Sequence, residues 1–246
     1  MAISTDYEYT STRSISRFVV GVCLVRAVCV PVWVGISLFF IYLEMNGQNK
    51  NDDFLFKLAT NVELGFGIFA GIVNWVFLIA SLVWIYRSSV NAFALSVTQP
   101  PAFTPGWATL FFFIPFVNFG LGLPIVSRIW NHSVTDLEKE GRNWPSPVVL
   151  TWWLVWVGGT ILSMIVTFWT TLAAPEWTYQ GQLSLVIVEV ASIVVMVRLV
   201  RQLHQKQEEK HAILFELGTT CPACGEQVRN NLAECPVCGE TLLATE

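Results

Sequence analysis

Residues 66–86 form a run of 21 positions without a charged side chain, long enough to cross a bilayer as one helix. The hydrocarbon layer is about 30 Å thick and takes about 20 apolar residues, because lipid offers no partner to an unpaired backbone N–H or C=O. Residues 18–42 hold a single charge, Arg26, and residues 148–172 hold none. Residues 183–197 are a shorter run carrying Glu189. A soluble domain is excluded by the same arithmetic: 54% of the 246 residues are apolar and 13% charged, where a soluble chain carries about a quarter charged. One core of this size cannot hide 11 Trp and 17 Phe together with the aliphatic residues. The expectation is an all-α membrane bundle of four transmembrane helices.

A fifth stretch, residues 107–126, is apolar but interrupted by Pro115, Asn118, Gly120, Gly122 and Pro124. Each of these removes a donor or weakens a helix, so a kinked span or a re-entrant segment is expected there. Loop charges favour the four-span arrangement. With four spans one side holds Arg13, Arg17, Arg87, Arg128, Lys139, Arg142, Arg198, Arg201, Lys206, Lys210 and Arg229, and the other only Lys50 and Lys57, a balance of 11 to 2. With five spans it becomes 10 to 3. Either way the tail falls on the cytosolic side of a cell membrane. The net charge of −4 gives a nucleic acid no electrostatic footing.

Residues 1–17 are polar and the first apolar run is span-length, so no cleavable signal is expected. Residues 18–200 read as the transmembrane domain, 201–219 as a charged helical stalk and 220–246 as a separate module. The cluster 46–53 reads as a solvated loop, and Gly218 as the stop of the stalk helix. Arg198, Arg201, Lys206 and Lys210, diluted by Glu208, Glu209 and Glu216, give the stalk a weak preference for anionic lipid.

Cys221, Cys224, Cys235 and Cys238 form two knuckles, each C-P-x-C-G-E, separated by ten residues. Two CxxC turns aim four thiolates at one centre, and the glycine after each second Cys lets the backbone curl beneath the sulfur. This predicts one structural zinc, with all four positions filled and none open for catalysis. Two disulfides or a redox pair are the competing readings, disfavoured on a reducing cytosolic side. Iron fits the same sulfurs. Residues 229–231 are the expected turn, and Glu226, Glu234, Glu240 and Glu246 against Arg229 point away from nucleic acid and toward a cytosolic protein partner or simple capping of the tail helix.

Charges within a span raise functional suspicion. Arg26 lies eight residues from the cytosolic start of its run and Glu189 nine before Arg198, which puts both about 12 to 14 Å deep at 1.5 Å per residue. They read as a structural ion pair, or as Arg26 snorkelling towards the headgroups, or, with Asn74, Asn118 and Asn91, as a proton or ion relay. Gly67-x-x-x-Gly71 and Gly159-x-x-x-Ser163 read as close helix packing within the bundle, with a homo-oligomer as a further partner class. Trp152, Trp153 and Trp156 read as an interfacial belt, and Cys23 and Cys29 as packing residues.

The block Trp84-Ile85-Tyr86-Arg87 with Asn91, then Thr104-Pro105-Gly106-Trp107-Ala108, Ile114-Pro115-Phe116-Val117-Asn118 and Ile129-Trp130, resembles a mainly bacterial membrane-protein family catalogued as domain-of-unknown-function family 4328. Trp152-Trp153 and the exit Val197-Arg198 with Arg201-Gln202 extend the likeness to residues 15–207. Gly122 stands where that family commonly has Pro, and Arg128 where it has an acidic residue. The resemblance implies a multi-pass bundle, carries no activity with it, and leaves the ribbon outside.

Three function classes follow. One is a non-enzymatic membrane anchor, adaptor or regulatory module whose ribbon recruits a partner. Another is a transporter or channel for a small solute, an ion or a lipid, using residues 104–124. The third, an intramembrane enzyme, lacks support: there is no HExxH, G-x-S-x-G or P-loop, and His132, His204 and His211 have no evident metal partner.

Overall fold

The computed structural model describes residues 7–45, 54–96, 101–135, 145–173, 181, 183–216, 219–228 and 232–242. The expected loop 46–53, the helix stop at Gly218 and the ribbon turn 229–231 lie outside them. The helices are α1 Arg13–Met45, α2 Phe54–Ala94, α3 Pro105–Phe113, α4 Pro115–Ser133, α5 Pro147–Leu172 and α6 Val186–His211. A π-helical turn, Ala212–Glu216, precedes β1 Thr219–Thr220 and β2 Gln227–Val228.

Among the described residues three helices are long and apolar enough to cross a membrane: α1 over Arg13–Leu43, α2 over Phe54–Ala94, and α5 over Pro147–Leu172. The fourth expected span falls in α6. Glu189, Arg198 and Arg201 all lie in its first 16 residues, and the apolar part from Val186 to Val197 reaches only about 18 Å at 1.5 Å per residue. The fifth segment is broken outright. Ile114 is extended, with φ −88° and ψ 111°, and closes α3 as it opens α4. Pro115 accounts for the break, because its ring disfavours a helical residue before it. Pro124 is tolerated inside α4.

The chain divides into two compact units. A spanning unit comprises Ile15–Val83 and Pro147–Val200, and a clasped unit comprises Met1–Ser14, Trp84–Ser146 and Arg201–Glu246. Residues 84–146, drawn by the sequence into one domain of 18–200, thus group with the N-terminus and the tail.

The spanning unit turns apolar side chains outward. Val28, Leu64, Ile68, Ile72, Ile165 and Phe168 are all exposed, as lipid-facing residues should be. Its two small-residue motifs behave differently. A Cβ on Gly159 would lie 2.6 Å from Val188 Cγ1, so the α5 backbone there packs closely against a side chain of α6. A Cβ on Gly67 or Gly71 would meet nothing within 4 Å. The first glycine pair was expected to pack and does not; it leaves space instead. Trp152 is buried and stacks on Trp156 with centroids 6.0 Å apart, so this part of the expected belt is turned inward.

The clasped unit buries Trp84, Ile85, Leu95, Ile125, Val126, Ile129, Trp130 and Leu203. Its surface keeps an apolar patch at the helix break, where Phe113 and Phe116 are exposed, Phe116 at 84%.

Candidate functional site

The ribbon is two copies of one local design. In the first knuckle the Gly225 N–H donates to the Cys221 carbonyl at 2.9 Å and the Cys221 N–H to the Glu226 carbonyl at 2.8 Å. In the second, Gly239 donates to Cys235 at 2.8 Å and Cys235 to Glu240 at 2.7 Å. Gly225 and Gly239 have φ of +72° and +76°, a region where a Cβ would be strained and glycine is not. Each knuckle is closed by antiparallel pairing, Thr219 with Val228 and Thr220 with Gln227 in one, Glu234 with Thr241 in the other.

This brings the four sulfurs together within 4.8 Å of one another, with Cys221 to Cys238 and Cys224 to Cys235 both at 3.6 Å. Four sulfurs tetrahedrally placed about 2.3 Å from a common centre would lie about 3.8 Å apart, so the arrangement can hold a metal ion. All four thiols are free of disulfides. Cys221 and Cys235 are buried with Val228 and half-buried Leu242 in a small core, while Cys224 and Cys238 are exposed. Backbone hydrogen bonds, chiefly from Cys238 and then Val237, hold the Cys235 thiol below its usual value.

In the spanning unit Arg26 and Glu189 meet, Nη2 to Oε1 at 2.6 Å. The guanidinium also lies over the Phe77 ring, 4.5 Å from its centroid, a favourable cation–π position. The pair is not sealed in: the Arg26 side chain is 20% exposed and that of Glu189 38%. Both line a groove of about 490 Å³ with Trp33, Phe66, Gly71 and Asn74. Cys29 also lines the groove, whereas Cys23 is buried.

The remaining asparagines do not join that groove. Asn118 belongs to the clasped unit, where its Nδ2 donates to the Phe112 carbonyl at 3.1 Å across the helix break. Its Oδ1 is buried without a partner among the described residues. Asn91 lies in the same unit and clasps the N-terminal strap: it accepts from the Thr10 N–H at 3.1 Å and donates to the Thr10 carbonyl at 2.9 Å.

Sequence reasoning missed the centre of this unit. Gln207, fully buried, donates from Nε2 to the Ser88 carbonyl at 2.9 Å and to Ser133 Oγ at 3.1 Å, and accepts from Asn91 at 3.2 Å. Lys210 Nζ donates to the His132 carbonyl at 2.8 Å. The tail helix, read as solvated and lipid-seeking, is therefore packed on this face. The available signal was the spacing of Leu199, Leu203, Gln207 and Lys210, which puts them on one side of a helix. All four are buried.

The three histidines are engaged here as well. His132 Nδ1 lies 2.9 Å from Ser96 Oγ, His204 Nδ1 lies 3.1 Å from Thr12 Oγ1, and His211 stacks on Tyr9 at 4.0 Å. Tyr9 and Ser11 both donate to Glu208 Oε1, at 2.9 and 2.5 Å. Burial pushes the Glu208 carboxyl upward, but those two hydrogen bonds with His204 and His211 outweigh it and hold the group below the usual carboxylate range. Burial and the bond to Glu208 push the Tyr9 phenol well above its ordinary value.

No curated protein and no solved structure matches the chain. A family model does, over residues 48–205, covering α2 to α5 and α6 as far as residue 205, and stopping short of the ribbon: the chain belongs to the family described as Domain of unknown function (DUF4328).

Proposed function

We propose that the chain is a non-enzymatic membrane anchor or adaptor, a four-span bundle that presents a structural zinc ribbon to a protein partner in the cytosol. The observation that carries this reading is the closed set of four cysteine sulfurs, which leaves no coordination position for water or substrate. Residues Cys221, Cys224, Cys235 and Cys238 would hold the ion, whose contribution is to fold the ribbon. Support for α6 as the fourth span comes from outward-facing Ile187, at 79% exposure, and Val194. Support for a cytosolic tail comes from the 11 to 2 charge balance.

The test is metal analysis of the full-length protein beside Cys221→Ser and a deletion of residues 219–246. One zinc per chain, lost in Cys221→Ser, is expected, with membrane insertion retained in both variants. Iron in place of zinc would correct the metal. Loss of specific co-purifying proteins on deletion supports recruitment; an unchanged protein complement and unchanged thermal stability would sink it.

A second reading is favoured by the Arg26–Glu189 groove: a transporter or channel for a small solute, an ion or a lipid. The interrupted segment 104–124 contributes no lining residue to the groove, so the path under this reading runs along Arg26, Asn74 and Glu189. Flux through reconstituted vesicles, lost in Arg26→Gln, is the expected outcome; equal flux in both proteins removes the reading.

A further inference from the structure

Arg26 and Glu189 share a single short contact, Nη2 to Oε1, in the spanning unit. A guanidinium offers five N–H donors and a carboxylate two acceptor oxygens. Among the described residues, therefore, most of Arg26's donors and the second Glu189 oxygen have no hydrogen-bond partner, although both side chains line the groove. Unpaired polar groups are costly at membrane depth, where no bulk water can serve them. The walls are of opposite character, with Trp33, Phe66, Val73 and Val186 along the same groove.

The pair is electrically neutral in sum but strongly dipolar, so a simple anion or cation would gain from one partner and be repelled by the other. A molecule carrying both charges a few ångströms apart, joined to an apolar tail, matches both ends and the walls. The volume, about 490 Å³, lies in the range that holds a drug-sized group. Gly67 and Gly71 border open space in the groove, where a Cβ on either would meet nothing within 4 Å.

We propose that the Arg26–Glu189 groove binds the headgroup of a zwitterionic phospholipid with a primary ammonium, phosphate toward Arg26, ammonium toward Glu189, and an acyl chain against Trp33 and Phe66. This deepens the second functional reading by naming its ligand. Binding and flux are measured separately, so retention without flux leaves the site standing and removes only transport.

The experiment places the full-length protein in nanodiscs of phosphatidylcholine doped with equal amounts of phosphatidylethanolamine and phosphatidylglycerol, extracts it, and quantifies retained lipid by mass spectrometry. Phosphatidylethanolamine should be enriched about tenfold over phosphatidylcholine, the factor expected of one charge-assisted hydrogen bond. Glu189→Gln should bring that ratio to parity, and Arg26→Gln should abolish retention. Gly71→Phe, which fills the groove while leaving both charged residues in the chain, should abolish retention while the unfolding temperature holds; this variant keeps the test decisive if the charge variants fail to fold. Lipid retained in the ratios of the disc, phosphatidylglycerol retained as well as phosphatidylethanolamine, or undiminished retention in Gly71→Phe would each overturn the proposal.

Discussion

Trp75 and Trp84 lie nine residues apart on one helix, yet Trp75 is 64% exposed and Trp84 1%. Trp75 belongs to the spanning unit and Trp84 to the clasped unit, and the contrast extends through each. The spanning unit shows its large apolar side chains and holds few polar ones inside. The clasped unit encloses Asn91, Ser133 and Gln207 and ties them to one another and to the Ser88 backbone carbonyl. Hydrophobicity does not by itself direct a side chain inward; the medium around each segment decides. Lipid accepts tryptophan and isoleucine on the outside, whereas an enclosed amide must find partners within the fold.

This contrast can be attacked at several points. The largest effect is expected at Ile72, exposed on α2. Ile72→Lys should raise the apparent free energy of membrane insertion by about 3 to 4 kcal/mol, read with a glycosylation reporter; normal insertion would mean that this face does not meet lipid. Next comes Gln207→Leu, which preserves bulk but takes one acceptor from the Asn91 amide and one donor each from the Ser88 carbonyl and Ser133 Oγ. A loss of about 2 to 3 kcal/mol should appear as faster hydrogen exchange in residues 84–96 and 124–133. An equal change throughout α5 would show that the two units do not differ in how they are held.

Within the spanning unit the glycines should part company. Gly159→Ala should destabilise by about 2 kcal/mol through overpacking against Val188. Gly71→Ala should stabilise by about 0.5 to 1 kcal/mol, the helix-propensity gain in open space. Thermal unfolding in one detergent compares them, and a similar loss at both would refute the open groove. The smallest effect is at the strap. Tyr9→Phe should cost about 1 kcal/mol, seen as faster proteolysis near residue 9. Because the folded value of Glu208 lies below its unfolded one, the strap's contribution is fully present above the ordinary glutamate value of about 4.3 and fades as pH falls through the lower folded value. Exchange protection of residues 9–12 that ignores this acid window would count against Glu208 as the anchor.

What could be read in advance followed the physics of each feature. Span-length apolar runs with at most one charge have one use, so α1, α2 and α5 were visible at once. Knuckle spacing carries its own geometry, so the four-sulfur cluster was visible too. Depth counting brought Arg26 and Glu189 to one level because a helix converts residue number into distance. The clasped unit was opaque for the opposite reason. Gln207 and Lys210 stand among Glu208, Glu209 and Lys206, and a mixed polar stretch reads as solvated until its partners are known. Nor does any local pattern announce that residues 9–12 seek Asn91 and Glu208. Asn118, grouped by type with the groove, serves the broken backbone beside it.

The strap also imposes an order on the chain's making. Thr10 can reach its Asn91 clasp once 81 further residues have been joined, but Tyr9 must wait for Glu208, 199 positions on. At about 5 to 20 residues per second of synthesis, that second wait lasts roughly 10 to 40 seconds. A segment made well before its anchors is thus among the later ones to settle, and its docking reports that the tail helix has arrived.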